Sequence, residues 1–212
     1  MSRKPVLCGV ILAAGESTRM GRDKALLPWP PAAPGTAASM GRSLLSAAVG
    51  SLRSYTSAVI VVAGKNESEI APAVYASGAA LVRNPAPERG QFSSLQTGLH
   101  EVLARGYDAA MITPVDCPPP AAATLERLCA SFEQALSLGR WGVAPEYGGK
   151  HGHPMLASRK LIEAFLAASP ERNAREIKRE NARHIEYISV DDPFVTKNVN
   201  TPEEYAGLNP LL

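Results

Sequence analysis

Residues 11–27 read Ile-Leu-Ala-Ala-Gly-Glu-Ser-Thr-Arg-Met-Gly-Arg-Asp-Lys-Ala-Leu-Leu, and the fold follows from how this run begins and ends. Val6, Leu7, Val10, Ile11 and Leu12 form a short apolar run of the kind that makes a buried strand, and it stops at Ala13-Ala14-Gly15. Small residues there let the backbone come close to a ligand, with N–H groups free to bind phosphate oxygens. Ser17, Thr18, Arg19, Arg22 and Lys24 follow directly. A polyanion held by backbone amides and clamped by an arginine and a lysine is the physical reading. This is the pattern of a nucleoside triphosphate site.

Two common phosphate loops do not fit. Gly15 and Gly21 are one residue too far apart for G-x-x-x-x-G-K-[ST], Lys24 does not follow the second glycine, and no G-x-G-x-x-G occurs. The string L-A-A-G-x-x-x-R-M-G-x-x-K, from Leu12 to Lys24, instead resembles the signature of nucleotidyltransferases built on a Rossmann-like sheet.

With 212 residues, 45% hydrophobic and 20% charged, the chain suits one α/β domain with a substantial core, expected to span residues 1–212. A formal net charge of +2 is too weak to suggest a nucleic-acid partner. No apolar run approaches the ~20 residues needed to cross a bilayer, and Met1-Ser2-Arg3-Lys4-Pro5 leads into the strand without a signal-peptide pattern. A cytoplasmic location and no membrane partner are expected. Cys8, Cys117 and Cys129 have no metal-ligand spacing. Cys8 and Cys129 are expected to be buried thiols, and Cys117 partly exposed.

Strand-like and helix-like runs alternate, the pattern of a mainly parallel sheet covered on both faces in a three-layer α/β fold. Strands are expected at Ala58 to Ala63, Leu81 to Arg83, Ala109 to Val115, Gly142 to Ala144, Met155 to Ala157 and Ile185 to Val190. Helices are expected through Leu44–Leu52, after Ser68, after Ser93 or Ser94, through Leu125–Leu136, Leu161–Ala167 and Ala174–Lys178, and from Pro202. The stretch from Pro28 to Gly41 is too rich in proline and glycine for regular structure. It reads either as a plain insertion or as a loop beside the phosphate site.

Asp116 ends the strand Ala110–Val115, and the carboxyl ends of parallel strands converge on the ligand crevice of such sheets. A rigid carboxylate facing a triphosphate suits Mg²⁺, which takes few protein ligands and completes its shell with phosphate oxygens and water. Asn198 and Asn200 are two apart in an extended segment and so share a side; an amide oxygen can complete a hard-cation site. Thr201, Pro202 and Glu204 read as a helix start with a capping box. In His151-Gly152-His153-Pro154 a third zinc ligand is lacking; Gly152 permits close approach, and His153 is a candidate contact to a phosphate or an acceptor. Gly90-Gln91-Phe92-Ser93-Ser94 reads equally as a doubly available helix cap or as a polar pocket for a base or ribose.

These segments together resemble the molybdenum-cofactor nucleotidyltransferases, most closely the cytidylyltransferase branch, from about Val6 to Tyr205. The resemblance rests on Leu12-Ala13-Ala14-Gly15 with Arg19-Met20-Gly21 and Lys24, on Gly90 through Leu95, on Pro114-Val115-Asp116-Cys117-Pro118, on Gly152-His153-Pro154 and on Asn200-Thr201-Pro202-Glu203. It implies that Leu12, Ala13, Ala14, Gly15, Arg19 and Lys24 bind the nucleotide, with Arg19, Lys24 and Asp116 catalytic. It further implies that Asp116 and Asn200 hold Mg²⁺, that Gly90 and Ser94 meet base and ribose, and that Gly152 and His153 meet the acceptor. The partners implied are CTP, a molybdopterin-type acceptor, and a molybdoenzyme or its chaperone. Ala14 favours the cytidine branch, whereas asparagine at position 200 is typical of the guanylyltransferase branch. A sugar- or polyol-phosphate nucleotidyltransferase would share these residues. A non-catalytic cofactor carrier would not need both Lys24 and Asp116.

Overall fold

The computed structural model describes residues 5–15, 17, 20–31 and 42–208. In chain order the elements are β1 (Leu7–Leu12), α1 (Leu44–Arg53), β2 (Ala58–Ala63), α2 (Glu67–Ala76), β3 (Ala80–Arg83), α3 (Gln91–Ala104), β4 (Ala109–Pro114) and α4 (Ala122–Ser137). There follow β5 (Gly142–Tyr147), β6 (Lys150–His151), β7 (Met155–Ser158), α5 (Arg159–Ala167), α6 (Ala174–Glu180), β8 (Ile185–Ser189) and α7 (Pro202–Ala206). The strands form one sheet in the order β3-β2-β1-β4-β7-β5, with β6 and β8 both pairing with β5.

β1 is buried on both faces, which is why its sequence is a continuous apolar run rather than an alternating one. Cys8, Val10 and Leu12 point into the layer that holds Phe92, Leu99 and Phe165. Ile11 faces the opposite layer, with Leu45, Val49 and Phe132. A third, smaller cluster joins Met20, Leu27 and Trp29 to Val199 and Leu208, so the loop after β1 packs directly on the C-terminal segment.

The pairings of β1 with β2 and β4, of β2 with β3 and of β5 with β8 are parallel. β7 runs antiparallel to both β4 and β5. The reversal begins at Gly148 and Gly149, both at positive φ (55° and 74°). They form the two-residue turn of the β5–β6 hairpin, in which Tyr147 pairs with Lys150.

Four expectations are corrected. α2 begins after Asn66 rather than at a Ser68 cap, and α3 starts at Gln91, with Ser93 and Ser94 inside its first turn. The two serine hydroxyls instead accept from Asn84 Nδ2 at 2.8 and 3.0 Å. Cys117 is buried, 4% exposed, and its thiol donates to Asn198 Oδ1 at 3.1 Å. Burial and the adjacent Asp116 push its pKa far up, so it is a poor nucleophile. Cys129, in turn, is only partly buried. The mixed antiparallel half of the sheet is a detail that the alternation of elements did not carry.

Gly152 sits where the chain leaves β6 for β7. Its N–H donates to Pro145 O at 2.8 Å, and the next N–H, of His153, donates to Val195 O at 2.7 Å. A Cβ on Gly152 would lie 2.1 Å from Val195 O, a backbone atom that cannot swing away. Gly152→Ala is therefore expected to destabilise the protein by about 1–3 kcal/mol or more, the usual cost of overpacking. Urea unfolding should show a lower midpoint at an unchanged slope.

Candidate nucleotide and metal site

The sheet brings two strand ends side by side. Leu12 pairs with Pro114, and beyond them Ala13 N–H donates to Val62 O (2.8 Å) and Val115 N–H to Leu12 O (3.0 Å). The loop that leaves β1 returns through a short 3-10 turn, Lys24–Leu26, capped by Asp23, whose Oδ1 accepts from Ala25 N–H at 2.8 Å. Lys24 N–H donates to Ser17 Oγ at 3.1 Å, which closes the loop on itself.

Asn66 ties the two ends of this loop together. Its Nδ2 donates to Ala13 O at 2.9 Å and to Asp23 Oδ2 at 2.5 Å, while its Oδ1 accepts from Gly64 N–H at 3.0 Å. Sequence reasoning passed over Asn66. The available signal was its place directly after β2, beside the end of β1 in a parallel sheet.

Lys24, Asp116 and Asn200 meet although they come from three distant segments. Lys24 Nζ donates to Asp116 Oδ2 at 3.3 Å and to Asn200 Oδ1 at 3.0 Å. The lysine and aspartate side chains are 13% and 25% exposed, so solvent screens the pair only in part. The C-terminal segment fixes the carboxylate from below: Val199 N–H donates to Asp116 O at 2.8 Å. Asn200 is held in turn, its N–H donating to Glu204 Oε2 at 2.6 Å, while Thr201 Oγ1 accepts from Glu204 N–H at 3.2 Å. Asn198 does not join Asn200 at this point; its amide oxygen takes the Cys117 thiol. Two hard oxygens, Asp116 Oδ2 and Asn200 Oδ1, already converge on one cation. That donor set fits Mg²⁺, whose remaining ligands would be phosphate and water.

A cleft of about 660 Å³ opens at these strand ends, lined by Leu12, Ala14, Gly15, Lys24, Gly90, Ser94 and Asp116 among others. Ala13 is buried beneath it. A second cleft, of about 560 Å³, adjoins the first at Leu12, Gly90, Gln91 and Pro114, and His153 lines it. Gly152 lines neither; the structure puts it against Val195, where it has a packing role. Arg19 and residues 32–41 lie outside the described residues. His151 is on the exposed hairpin, 3.4 Å from Glu146 Oε2 and stacked on Tyr187. No group of three or more potential metal-ligating His, Cys, Asp or Glu side chains occurs among the described residues.

Residues 9–185 match the family described as MobA-like NTP transferase domain. The chain belongs to that family. Among curated proteins similar to it is a molybdenum cofactor guanylyltransferase of Xanthomonas euvesicatoria pv. vesicatoria, 30% identical over 94% of this chain and 93% of the relative. A molybdenum cofactor cytidylyltransferase of Escherichia coli is 26% identical over 88% of this chain and 93% of the relative. Of solved structures, a Mycobacterium tuberculosis protein in complex with manganese has the same fold. It is 22% identical, with a TM-score of 0.68 over 98% of this chain and all of that one. The MobA-like chain is thus a nucleotidyltransferase with the α/β architecture that its first strand announces. No helix among the described residues is long and apolar enough to cross a membrane.

Burial, with Lys178 nearby, lowers the His153 pKa to about 4, against a weaker opposing hydrogen bond to the Ile112 backbone. The imidazole is neutral near pH 7. Between pH 6.5 and about 4 the unfolded chain takes up a proton that the folded chain refuses, so stability falls as pH falls through this window. The loss is expected to be on the order of 3 kcal/mol. Unfolding free energies across this range should fall less steeply in His153→Gln than in the native protein.

Proposed function

We propose that this protein transfers a nucleoside monophosphate from a Mg²⁺-bound nucleoside triphosphate to the phosphate of molybdopterin, with CTP as the donor. The observation that carries the reading is the convergence of Lys24 Nζ with Asp116 Oδ2 and Asn200 Oδ1 beside the first cleft. The names of the Xanthomonas and Escherichia relatives support the acceptor, and the manganese-bound neighbour supports a divalent metal. A cytoplasmic place of action and hand-over to a molybdoenzyme or its chaperone belong to the same reading.

An oxygen of the acceptor phosphate attacks the α-phosphorus in line; the bond from that phosphorus to the α–β bridging oxygen breaks, and pyrophosphate leaves. Such chemistry is largely positioning and charge neutralisation. A bound Mg²⁺ would neutralise and orient phosphate oxygens, held by Asp116 and Asn200. The backbone after Leu12, through Ala13, Ala14 and Gly15, cradles the triphosphate, and Arg19 and Lys24 offset charge building on the leaving group. Gly90 and Ser94 face base and ribose. His153, neutral in its pocket, meets the acceptor, and Gly152 lets the chain pass close enough to present it. The acceptor phosphate is already ionised at neutral pH, so no general base is needed.

Asp116→Ala removes a charge and little volume from a strand end, so it is expected to abolish pyrophosphate release from CTP and molybdopterin while the unfolding midpoint stays within the range of surface variants. Lys24→Ala loses charge-assisted contacts worth ~1.5–3 kcal/mol, or roughly ten- to a hundredfold in rate or affinity. Kinetics together with titration calorimetry would show it; an unchanged triphosphate response would exclude the loop as a phosphate cradle.

For the base, the Ala14 methyl on the cleft wall narrows the approach and favours the smaller pyrimidine. The second reading is GTP, favoured by Asn200 and by the 30% identical guanylyltransferase. The expected outcome is a higher kcat/KM for CTP than for GTP with one molybdopterin acceptor, a preference that Ala14→Gly weakens. A native preference for GTP selects the second reading.

A further inference from the structure

Lys24, Asp116 and Asn200 set fixed acceptors against a movable donor. The acceptors are held through the backbone: Val199 N–H donates to Asp116 O, and Asn200 N–H donates to Glu204 Oε2. Lys24 is anchored by its own N–H on Ser17 Oγ, but its ammonium rides on a four-carbon stem with rotatable bonds. That ammonium donates to Asp116 Oδ2 at 3.3 Å and to Asn200 Oδ1 at 3.0 Å. Its side chain lines the first cleft, so a turn about the stem carries the charge into that cleft while the two oxygens stay in place.

The same two oxygens fit Mg²⁺, and they cannot serve both cations. Mg²⁺ takes its oxygen ligands at about 2.0–2.1 Å, so an ion held by both would stand where the ammonium stands, and like charges at that range repel. A metal arriving alone must push the ammonium off the Asp116 carboxylate. The lysine side chain is only 13% exposed, and a charge so placed is costly once it loses its counter-ion. A triphosphate removes that cost, because its oxygens offer the ammonium a new counter-charge within the cleft. We propose that Lys24 exchanges partners in each binding cycle. Without a triphosphate its ammonium keeps a divalent cation off the oxygens of Asp116 and Asn200; a triphosphate draws it away and opens the pair. Metal and triphosphate therefore enter together, and the departure of pyrophosphate lets the lysine return. This rests on the transferase reading of the cleft and adds an order of binding to it.

Mn²⁺ without nucleotide is the probe, its binding read from the loss of the free-ion electron paramagnetic resonance signal. Lys24→Met and Lys24→Gln are each expected to bind Mn²⁺ about tenfold or more tightly than the native protein, the scale of one charge-assisted contact. Lys24→Arg keeps the cation and should bind as weakly as the native chain. Adding Asp116→Asn to Lys24→Met should abolish the gain, which locates the ion at these oxygens. Lys65 lines the same cleft, so Lys65→Met separates exchange from a general loss of positive charge, and its affinity should stay near the native value. Unchanged affinity in the neutral Lys24 variants, an equal gain in Lys24→Arg or Lys65→Met, or a gain that survives Asp116→Asn would overturn the proposal. Lys24→Gln retains a polar end toward Asn200 and carries the test even if Lys24→Met fails to fold. Pyrophosphate release from CTP and from GTP with molybdopterin is measured in parallel on the native protein. Its absence alongside the Mn²⁺ gain refutes the transferase reading and leaves the exchange standing, whereas turnover without the gain refutes the exchange alone.

Discussion

The parallel pairing of β1 with β4 is the constraint on which the site depends. Strand β1 lies between β2 and β4, with Leu12 level with both Val62 and Pro114. The chain therefore emerges from three neighbouring strands on one edge, and each emerging loop has a task. The loop after β1 carries Lys24, the turn after β2 carries Asn66, and β4 ends two residues before Asp116. Once the register is set, these groups have little freedom to be elsewhere. The C-terminal segment then locks the arrangement through Val199, which donates its N–H to Asp116 O while its side chain packs with Met20, Leu27 and Trp29.

What the sequence made legible was what local physics controls. Strand β2 falls where its β-branched run lies, and β1 lacks only one expected residue at its start, because burial on both faces leaves an unbroken apolar signature. Lys24, Asp116 and Asn200 could be named separately from residue type and strand position, and the fold brings them together. Polar residues with distant partners stayed hidden. Asn66 looks like any loop residue until Asp23 stands 2.5 Å away. Asp192 accepts from Ala121 N–H and Thr124 Oγ1, both at 2.8 Å, so α4 is capped by a residue far along the chain rather than by its neighbour.

Glycines and serines were the ambiguous letters. Gly152 reads as a place for a ligand to approach, but the backbone of Val195 occupies that approach. Ser93 and Ser94 read as caps, yet their hydroxyls are bound to Asn84 inside a helix that starts earlier. The antiparallel entry of β7 depends on two consecutive positive-φ glycines and a hairpin of only two paired positions, too short a signal for periodicity to carry.

The contact between Lys24 and Asn200 spans 176 residues, and that span orders events during synthesis. A ribosome adding roughly 5–20 residues per second exposes the loop after β1 long before the segment bearing Val199 and Asn200 leaves the tunnel. The first strands can pair early, because their partners are close along the chain and loop closure is cheap over such lengths. The oxygen pair beside Lys24 has no such head start. It is complete only when the segment bearing Val199 and Asn200 docks, and Tyr205, whose hydroxyl donates to Pro28 O, fastens that segment to the loop made first. A chain that stopped before Val199 would carry the loop after β1 without the pair of oxygens beside Lys24, so that arrangement waits on the segment made last among those that form it.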